Sequence, residues 1–340
     1  MNTIGDWGKA DLVLKGRMPY TLELTSHNSK SPQIEGSKLK FYDVFDPAYI
    51  QRMKTLIKTE AARRPEVAKS LTDPLCIGYF IDNELNFGNR GRQILGDDVI
   101  KSPAKQPSKQ EWVKDLKAKY GKIGKLNNAW GTDYADWDAV LAATAAPDSK
   151  GFKADSDIFF LKTVDQYFRL CRDAIKTVAP NRLYLGCRFI STDAVRKQLY
   201  DASKKYCDVL TVNVYAHSTA NIAGDKFPDM PVLIGEFHFG ILDRGMFSAG
   251  LAPTGTTQAE RALSYTRFVQ GALTSTHIVG THWFQFRDQP LTGRWDGEGY
   301  QIGFVDVADT PYEELTRAAR EVGENMYAYR LRGKLANDMR

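Results

Sequence analysis

Residues 76–84, CIGYFIDNE, carry a mostly apolar run straight into an acidic tail that ends in Glu84. Such a run, bounded by polar residues, is typical of a strand that is buried on both faces of a parallel sheet. Residues 231–236, PVLIGE, repeat the pattern and end in Glu236. Because the carboxyl ends of parallel strands lie at the same edge of a sheet, the two carboxyl groups are predicted to share one site.

Short β-branched and aromatic runs alternate with longer segments of helical period, which is the pattern of βα units around a parallel sheet. Strands are predicted at residues 2–5, 19–24, 75–81, 182–188, 208–214, 231–236 and 279–286. Helices are predicted to begin at Asp46-Pro47, at Ser108 with Glu111 as its capping-box partner, and at Asp155 or Ser156 with an end near Val178, and two more are predicted over residues 256–276 and 310–331.

Strands in this number favour a (β/α)8 TIM barrel over an open doubly wound sheet, chiefly because no Gly-rich phosphate loop follows any of them. The strand count is one short of a full barrel, since no strand is visible upstream of Asn2. Either a segment assigned to loop closes the ring, or the first βα unit is missing. The prediction is therefore a single α/β barrel domain over residues 1–340, incomplete at its N-terminus.

The composition bounds the class of protein. The 340 residues are 43% hydrophobic and 26% charged, with a formal net charge of +5, as is ordinary for a folded globular chain. Basic residues are interleaved with acidic ones instead of being concentrated on one element, so no nucleic acid partner is predicted. The longest apolar runs, such as residues 75–81, are too short to span a bilayer, so no membrane partner is predicted either.

The cysteines show no CxxC spacing and lie inside apolar or helical patterns, which predicts reduced core residues and no zinc site: Cys76, Cys171, Cys187 and Cys207. The N-terminal stretch has no charged segment followed by an apolar one, so no secretory signal is visible. The location of the protein is not determined by this observation.

Two carboxyl groups on opposite walls of a sugar-sized cleft are the catalytic groups of glycoside hydrolysis. Glu84, flanked by Phe80 and Phe87, is expected to have the raised pKa of a general acid. Glu236 is expected to stay ionised as the nucleophile, near Arg188, which would hold it ionised or reach the substrate. The alternative is that each Glu only caps the next helix, but two of them in the same setting favour chemistry.

Other side chains at strand ends are candidate substrate contacts. Tyr215 is predicted to touch the carboxylate of the nucleophile and His217 the sugar hydroxyls, or Tyr215 is simply a buried tyrosine. Trp283, near the end of the last strand, is predicted to stack on a pyranose, with core packing as the alternative. Gln285 and Asp288 follow in a loop, where they could bind hydroxyls.

Three histidines end consecutive strands, namely His217, His238 and His282, and imidazoles that converge in this way can hold zinc. No HxH or HExxH spacing occurs, and hydrolysis by two carboxylates needs no metal. No metal or other cofactor is therefore predicted, and His238 is assigned to substrate binding. A metal-dependent barrel hydrolase remains an alternative.

The residues also carry a family resemblance. Asn83-Glu84 after an apolar strand, and Glu236 three strands later, resemble the clan of retaining barrel glycosidases whose acid/base Glu follows Asn on strand four and whose nucleophilic Glu ends strand seven. More narrowly, five strings are similar to the β-agarases of glycoside hydrolase family 50: IGYFIDNELNFG, VNVYAH, IGEFHFGILDRGMF, THWFQFRDQPLTGR and GFVDVADTPY. Residues 126–138, LNNAWGTDYADWD, are similar to segments of family 42 β-galactosidases.

The resemblance implies retaining hydrolysis of β-1,4-galactosidic bonds in agarose or neoagaro-oligosaccharides, by an extracellular or periplasmic protein. It implies that Asn83 bonds the 2-hydroxyl of the cleaved sugar, with Asp82 and Asn86 in support. It aligns NTIGDW with the second family strand, so that strand one and an N-terminal β-rich domain would be missing and exposed strand edges would favour a homo-oligomer. The alternatives are a β-galactosidase-type enzyme for small galactosides and an inactive sugar-binding barrel fragment.

Overall fold

The computed structural model describes residues 1–37, 42–85, 92–190, 196–220, 222 and 227–332. Over these residues the strands are β1 (Tyr20–Leu24), β2 (Cys76–Ile81), β3 (Leu183–Tyr184), β4 (Phe189–Ile190), β5 (Leu210–Asn213), β6 (Val232–Phe237) and β7 (Ile278–Trp283). The helices are α1 (Ala10–Leu14), α2 (Pro47–Arg63), α3 (Pro65–Ser70), α4 (Arg92–Lys101), α5 (Pro107–Tyr120), α6 (Ile123–Trp130), α7 (Trp137–Leu141), α8 (Lys150–Val178), α9 (Arg196–Lys204), α10 (Gln258–Thr274) and α11 (Glu313–Arg332). Among the helices so described, none is both long and apolar enough to cross a bilayer.

Every strand pair is parallel and follows the order of the chain, in one sheet ordered β1-β2-β3 and another ordered β4-β5-β6-β7. Backbone hydrogen bonds join the two sheets. The N–H of Asp208 donates to the carbonyl of Tyr184 at 2.9 Å, and the N–H of Glu84 donates to the carbonyl of Cys187 at 3.1 Å. The strands therefore form one continuous parallel series with helices between them, which is the predicted (β/α) barrel.

The strand predicted over residues 182–188 is reduced to β3, and the separate strand β4 begins directly after its predicted end. Gly186 has φ 81° and Arg188 has φ 54°, and neither value fits an extended strand. The prediction of an unbroken strand is wrong because the apolar run LYLGC gives no local sign of this break. As a consequence of this break, Arg188 has a left-handed backbone conformation. Its side chain is fully buried beside the ends of β2 and β5.

The strand predicted over residues 2–5 is reduced to one parallel bridge between Ile4 and Tyr20. The extended backbone ends at Trp7, which has φ 65°. On the other side of this segment, a Cβ built on Gly5 would lie 2.9 Å from the ring of His282 on β7. The N-terminal segment thus lies between β1 and β7 and brings the two ends of the strand series together.

Side chains from neighbouring positions of the strand series form a small cluster separate from the main core, as expected for a packed barrel interior: Phe80, Leu185, Val209 and Leu233. The main core lies between the strands and the helices. The four cysteines are free and buried, which confirms their assignment as reduced core residues.

Two helix starts test the predicted capping residues. Helix α2 begins as predicted, with the Asp46 side chain accepting a hydrogen bond from the N–H of Ala48 at 2.7 Å and Pro47 in the first turn. Helix α5 begins one residue before Ser108, and the predicted capping box is wrong. The Ser108 hydroxyl instead donates to Asp43 at 2.7 Å, so a distant carboxylate uses the group that would have capped the helix.

Helix α8 begins at Lys150, and its prediction from Asp155 or Ser156 is wrong by about one and a half turns of 3.6 residues. Ser149 caps it by accepting a hydrogen bond from the N–H of Phe152 at 3.2 Å. Asp155 is buried inside the helix, where it accepts a hydrogen bond from the Trp130 indole at 2.7 Å. In the sequence Asp155 therefore resembles a helix cap, whereas in the structure its carboxylate accepts a hydrogen bond from a buried tryptophan.

Candidate active site

Left-handed residues cluster at the carboxyl ends of the strands. Asp82 and Glu84 after β2, Arg188 before β4 and Trp7 after the Ile4 bridge have φ values of 63°, 49°, 54° and 65°. A non-glycine residue in this conformation costs about 1–3 kcal/mol and persists only where its surroundings hold it. Four such residues at one end of the barrel mark that end as the candidate site.

Glu236, on β6, is 4% exposed and lies within a set of donors. Its Oε1 accepts hydrogen bonds from Arg188 Nη2 at 2.5 Å and from the Trp7 indole at 2.9 Å. Its Oε2 accepts a hydrogen bond from the Tyr215 hydroxyl. Burial raises the pKa of Tyr215, so this hydroxyl stays protonated and remains a donor. Three donors, one of them a cation, suit an ionised carboxylate, which can only accept.

Glu84, in the turn after β2, has different surroundings. Its side chain is half-buried, and its Oε1 accepts a hydrogen bond from Asn213 Nδ2 at 2.7 Å. Burial raises the pKa of Glu84, the Asn213 bond opposes that rise, and the negative charge of Glu236 adds to it. This carboxyl group therefore holds its proton to a higher pH than an ordinary glutamate does. Glu236 therefore lies within electrostatic range of Glu84.

Arg188 connects the two carboxyl groups. It is fully buried, and its Nε donates to Asn83 Oδ1 at 2.8 Å while its Nη2 binds Glu236. Asn213 Nδ2 lies 3.4 Å from the same Asn83 oxygen. A continuous chain of hydrogen bonds thus runs from Glu84 through Asn213, Asn83 and Arg188 to Glu236. The structure brings the predicted residues Asn83, Arg188 and Tyr215 together around the two glutamates.

His238, predicted to bind substrate, is 1% exposed. Its Nδ1 lies 3.0 Å from the carbonyl of Phe284, and its Nε2 accepts a hydrogen bond from the N–H of Leu251 at 2.8 Å. Burial lowers its pKa to about 3, so the ring is neutral. Both ring nitrogens are engaged by backbone groups, and the ring packs on Tyr215 with 4.7 Å between centroids. In this arrangement His238 supports Tyr215 from behind.

His217 follows β5 and Trp283 ends β7, on either side of β6 in the sheet. The exposed His217 ring stacks on Phe239 with 5.7 Å between centroids. The half-buried Trp283 indole donates to the carbonyls of Gln285 at 3.0 Å and Ile302 at 3.1 Å. Trp283 thus has part of its surface in the core and part at the barrel end.

The remaining predicted residues lie in the loop after β7 and in the turn after β2. Gln285 is half-buried and donates to the carbonyl of Arg287 at 3.0 Å. Asp288 is 3% exposed and accepts a hydrogen bond from the Tyr312 hydroxyl at 2.6 Å, a contact that anchors the loop to α11 and that neither glutamate shares. Asp82 accepts hydrogen bonds from the N–H of Ser26 at 2.7 Å and from the Tyr167 hydroxyl at 2.8 Å, which fixes the turn that carries Glu84. Asn86 and Phe87 lie outside the described residues.

Sequence reasoning missed three side chains of this site, namely Asp6, Trp7 and Asn213. Asp6 Oδ2 lies 3.4 Å from Arg188 Nε, and Trp7 and Asn213 bond the two glutamates directly. Asp6 and Trp7 follow the strand predicted over residues 2–5, and Asn213 lies one residue before the end of the strand predicted over residues 208–214.

Metal binding has a geometric test in this structure. Within the described ranges, no group of three or more His, Cys, Asp or Glu side chains is arranged to hold a metal ion. The three strand-end histidines have separate surroundings: His217 is exposed, His238 is bonded to backbone, and His282 is half-buried with its pKa lowered to about 4 by desolvation.

Comparison with known proteins agrees with this geometry. A glycoside hydrolase family 42 model, described as β-galactosidase, matches residues 53–244. β-Agarase A of Vibrio sp. (strain JT0107) is 36% identical over 349 aligned positions, which cover 96% of this chain and 34% of that protein. A solved exo-β-agarase is 33% identical with a TM-score of 0.85, over 97% of this chain and 46% of that one. The solved agarase AgWH50C is 31% identical with a TM-score of 0.84, over 97% of this chain and 47% of that one.

The chain therefore spans about a third of the length of the curated relative and about half the length of the solved structures, by the shares of 34%, 46% and 47%. Over nearly all of its own length it has their fold, and the predicted barrel is confirmed.

Proposed function

Since the chain belongs to the glycoside hydrolases, as a family 50 β-agarase-like protein that also matches the family 42 β-galactosidase model, we propose that it cleaves β-1,4-galactosidic bonds of agarose or neoagaro-oligosaccharides with retention. The observation that carries the proposal is the contrast between the two carboxyl groups. Glu236 has three donors, one of them a buried cation, whereas Glu84 has one donor and a raised pKa.

The proposed reaction has two steps. In the first, Glu84 gives its proton to the glycosidic oxygen, the bond from that oxygen to the anomeric carbon breaks, and a Glu236 oxygen forms an ester with the same carbon. In the second, the Glu84 carboxylate takes a proton from water, the water oxygen attacks the anomeric carbon, and the ester bond breaks to restore Glu236. Both inversions occur at one carbon, so the product keeps the β configuration.

The neighbouring residues have roles in this reaction. Arg188 and Tyr215 hold one Glu236 oxygen each, which orients the carboxylate for attack. Asn83, whose Oδ1 is fixed by Arg188, presents its amide N–H₂ to the 2-hydroxyl of the sugar. Tyr215 is in turn supported by the neutral His238 ring.

Agarose is a polymer, and exposed aromatic side chains of the loops after β6 and β7 could bind its further sugars. Trp295 is 94% exposed at the tip of a tight turn, which closes with the N–H of Gly297 donating to the carbonyl of Arg294 at 3.0 Å. Arg294 braces the turn through ion pairs with Asp296 at 2.6 Å and Glu298 at 3.3 Å. The charge of Glu298 contributes to the raised pKa of Glu84, so the turn lies within electrostatic range of the general acid.

A braced turn that presents an indole face to water is a suitable platform for the apolar face of a pyranose. We therefore assign Trp295 to a sugar-binding position on the Glu84 side of the cleft. Phe247 and Phe286, 84% and 62% exposed, are further exposed aromatic side chains of the same two loops.

The test is to incubate the purified chain with agarose and with neoagarotetraose, and to follow the products by mass spectrometry and the anomeric protons by NMR. The expected result is neoagaro-oligosaccharides whose new reducing ends appear first as the β anomer. First appearance of the α anomer would exclude retention.

The β-galactosidase family model favours a second candidate, hydrolysis of small galactosides. A nitrophenyl β-galactoside in the same assay separates the two, because an agarase should have the higher kcat/KM on the agar-derived substrate. Binding of neoagarotetraose without any product would instead support a sugar-binding barrel.

A further inference from the structure

Asp6 is a buried carboxyl group that the reaction described above does not use. It is 4% exposed, and its Oδ2 lies 3.4 Å from Arg188 Nε, too poorly placed for a hydrogen bond within the described part of the chain. Burial raises its pKa to about 6, against the opposing effect of the Arg188 charge. Glu236, Glu23 and Arg64 are the other charged groups that act on it.

Arg188 therefore faces two carboxyl groups with one charge. In the resting site Glu236 has the closer contact, at 2.5 Å from Nη2, and Asp6 the more distant one, at 3.4 Å from Nε. The guanidinium is fully buried, and its Nη1 has no hydrogen-bond partner within the described residues. Within the described part of the chain, these two carboxyl groups are the ones that form ion pairs with Arg188.

Formation of the covalent intermediate changes this balance. When Glu236 attacks the anomeric carbon it becomes a neutral ester, and the negative charge passes to Glu84, which has given its proton to the leaving oxygen. The charge has then moved from the oxygen that contacts Arg188 to the opposite wall of the cleft. A buried cation without a partner is strongly disfavoured, so the intermediate needs a second anion beside Arg188.

We propose that Asp6 is a positioning residue that becomes the counter-ion of Arg188 when Glu236 is esterified, and so stabilises the glycosyl-enzyme. This inference rests on the proposed retaining function. It assigns Asp6 to one step of the reaction, because substrate binding leaves the charge of Glu236 in place and needs no second anion.

The experiment is mechanism-based labelling with a 2-deoxy-2-fluoro-β-galactosyl fluoride. Fluoride leaves as the bond to Glu236 forms, so no proton from Glu84 is needed, and intact-protein mass spectrometry gives the rate constant of labelling and the inhibitor concentration for half-saturation. The variants are Asp6→Asn and Asp6→Ser, which remove the same charge with different side-chain volumes. Thermal melting identifies those that fold.

The matched control is Glu23→Gln. Glu23 is also a carboxyl group with a pKa raised by burial, to about 7, and it lies within electrostatic range of Asp6. Its side chain accepts a hydrogen bond from the Thr25 hydroxyl at 3.1 Å and has no ion pair with Arg188 among the described contacts. It therefore controls for the loss of a buried carboxyl group nearby.

The expected result is a labelling rate constant about tenfold lower in both Asp6 variants at unchanged half-saturation, the size of a loss of about 1.4 kcal/mol, with Glu23→Gln within about twofold of the parent. Equal rate constants in the parent and the folded Asp6 variants would overturn the proposed role of Asp6 and leave the proposed retaining function standing. A loss that lies wholly in half-saturation would overturn it too, because it would place Asp6 in binding. If the parent chain is not labelled, the retaining function itself fails, and the inference fails with it.

Discussion

Glu84 and Glu236 are the same residue type at the ends of two parallel strands, yet their surroundings differ in almost every respect. Glu236 is 4% exposed and is bonded by a cation, a phenol and an indole. Glu84 is half-buried, accepts one amide hydrogen bond and has a raised pKa. The comparison teaches that strand position brings both groups to the site, whereas their neighbours divide the roles between them.

The division is made by residues far away in the chain. Trp7 and Glu236 are separated by 229 positions, and Asn213 and Glu84 by 129. Arg188 donates to Glu236 directly, whereas its hydrogen-bonded connection to Glu84 runs through Asn83 and Asn213. This asymmetric placement is consistent with the proposed roles of Glu236 as nucleophile and Glu84 as acid.

The comparison of the two glutamates predicts its largest effect on activity for Glu236→Ala. Loss of the nucleophile should lower kcat on every substrate by roughly 10⁴-fold or more, since no other group can form the ester. Azide should restore cleavage of an activated galactoside, because the small anion fits the space that the carboxylate leaves, and the product should be the α-galactosyl azide. The matched control is Glu314→Ala on the exposed face of α11, which should keep full activity. If Glu236→Ala kept a tenth of the parental kcat, the assignment of Glu236 as the nucleophile would be wrong.

Glu84→Ala should affect substrates unequally. The general acid contributes about 10²–10⁴-fold where the leaving oxygen needs a proton, so neoagarotetraose hydrolysis should fall by that factor. The first step on a dinitrophenyl galactoside, whose leaving group needs no proton, should be nearly unchanged. Steady-state and pre-steady-state rates on the two substrates give the comparison. Equal losses on both would show that Glu84 is not the acid.

The third prediction concerns the pH dependence of the acid. The hydrogen bond from Asn213 favours the ionised form of Glu84 and so holds down a pKa that burial raises. Asn213→Ala should therefore raise the pKa further. Because the acid must be protonated to act, the alkaline limb of kcat/KM should move up, by as much as about one pH unit. The matched control, Asn325→Ala on α11, should leave the limb in place, and a downward shift in Asn213→Ala would contradict the assignment.

The sequence predicted the barrel and both glutamates because each depends on a local pattern. A buried parallel strand is visible as a continuous apolar run, and the residue that ends it lies at the active end of the barrel whatever its distant partners are. The same logic placed Asn83, Arg188 and Tyr215 in the candidate site. These predictions needed only the strand boundaries.

What the sequence could not predict depends on three-dimensional partners. The left-handed φ of Arg188 follows an ordinary strand sequence, and the contact of Trp7 with Glu236 joins opposite ends of the chain. Asp288 is predicted to bind sugar hydroxyls, and its carboxylate accepts hydrogen bonds from the Tyr312 hydroxyl and the N–H of Gly303. A polar residue after a strand is equally suited to catalysis and to anchoring a loop, and only its neighbours distinguish the two.

The smallest effect is expected for Trp295→Ala, and it separates the rim of the cleft from its catalytic centre. One lost stacking contact should raise the KM for agarose about three- to tenfold, with kcat little changed. The kcat/KM for a nitrophenyl galactoside should stay at the parental value, because a single sugar in the cleft does not reach the turn. Tyr327→Ala is the matched control, since Tyr327 is 70% exposed on α11, outside the loops of the barrel end. If Trp295→Ala lowered kcat/KM equally for both substrates, the turn would act on the catalytic carboxyl groups and not on the polymer. Trp295 would then not be a separate binding position for the polymer.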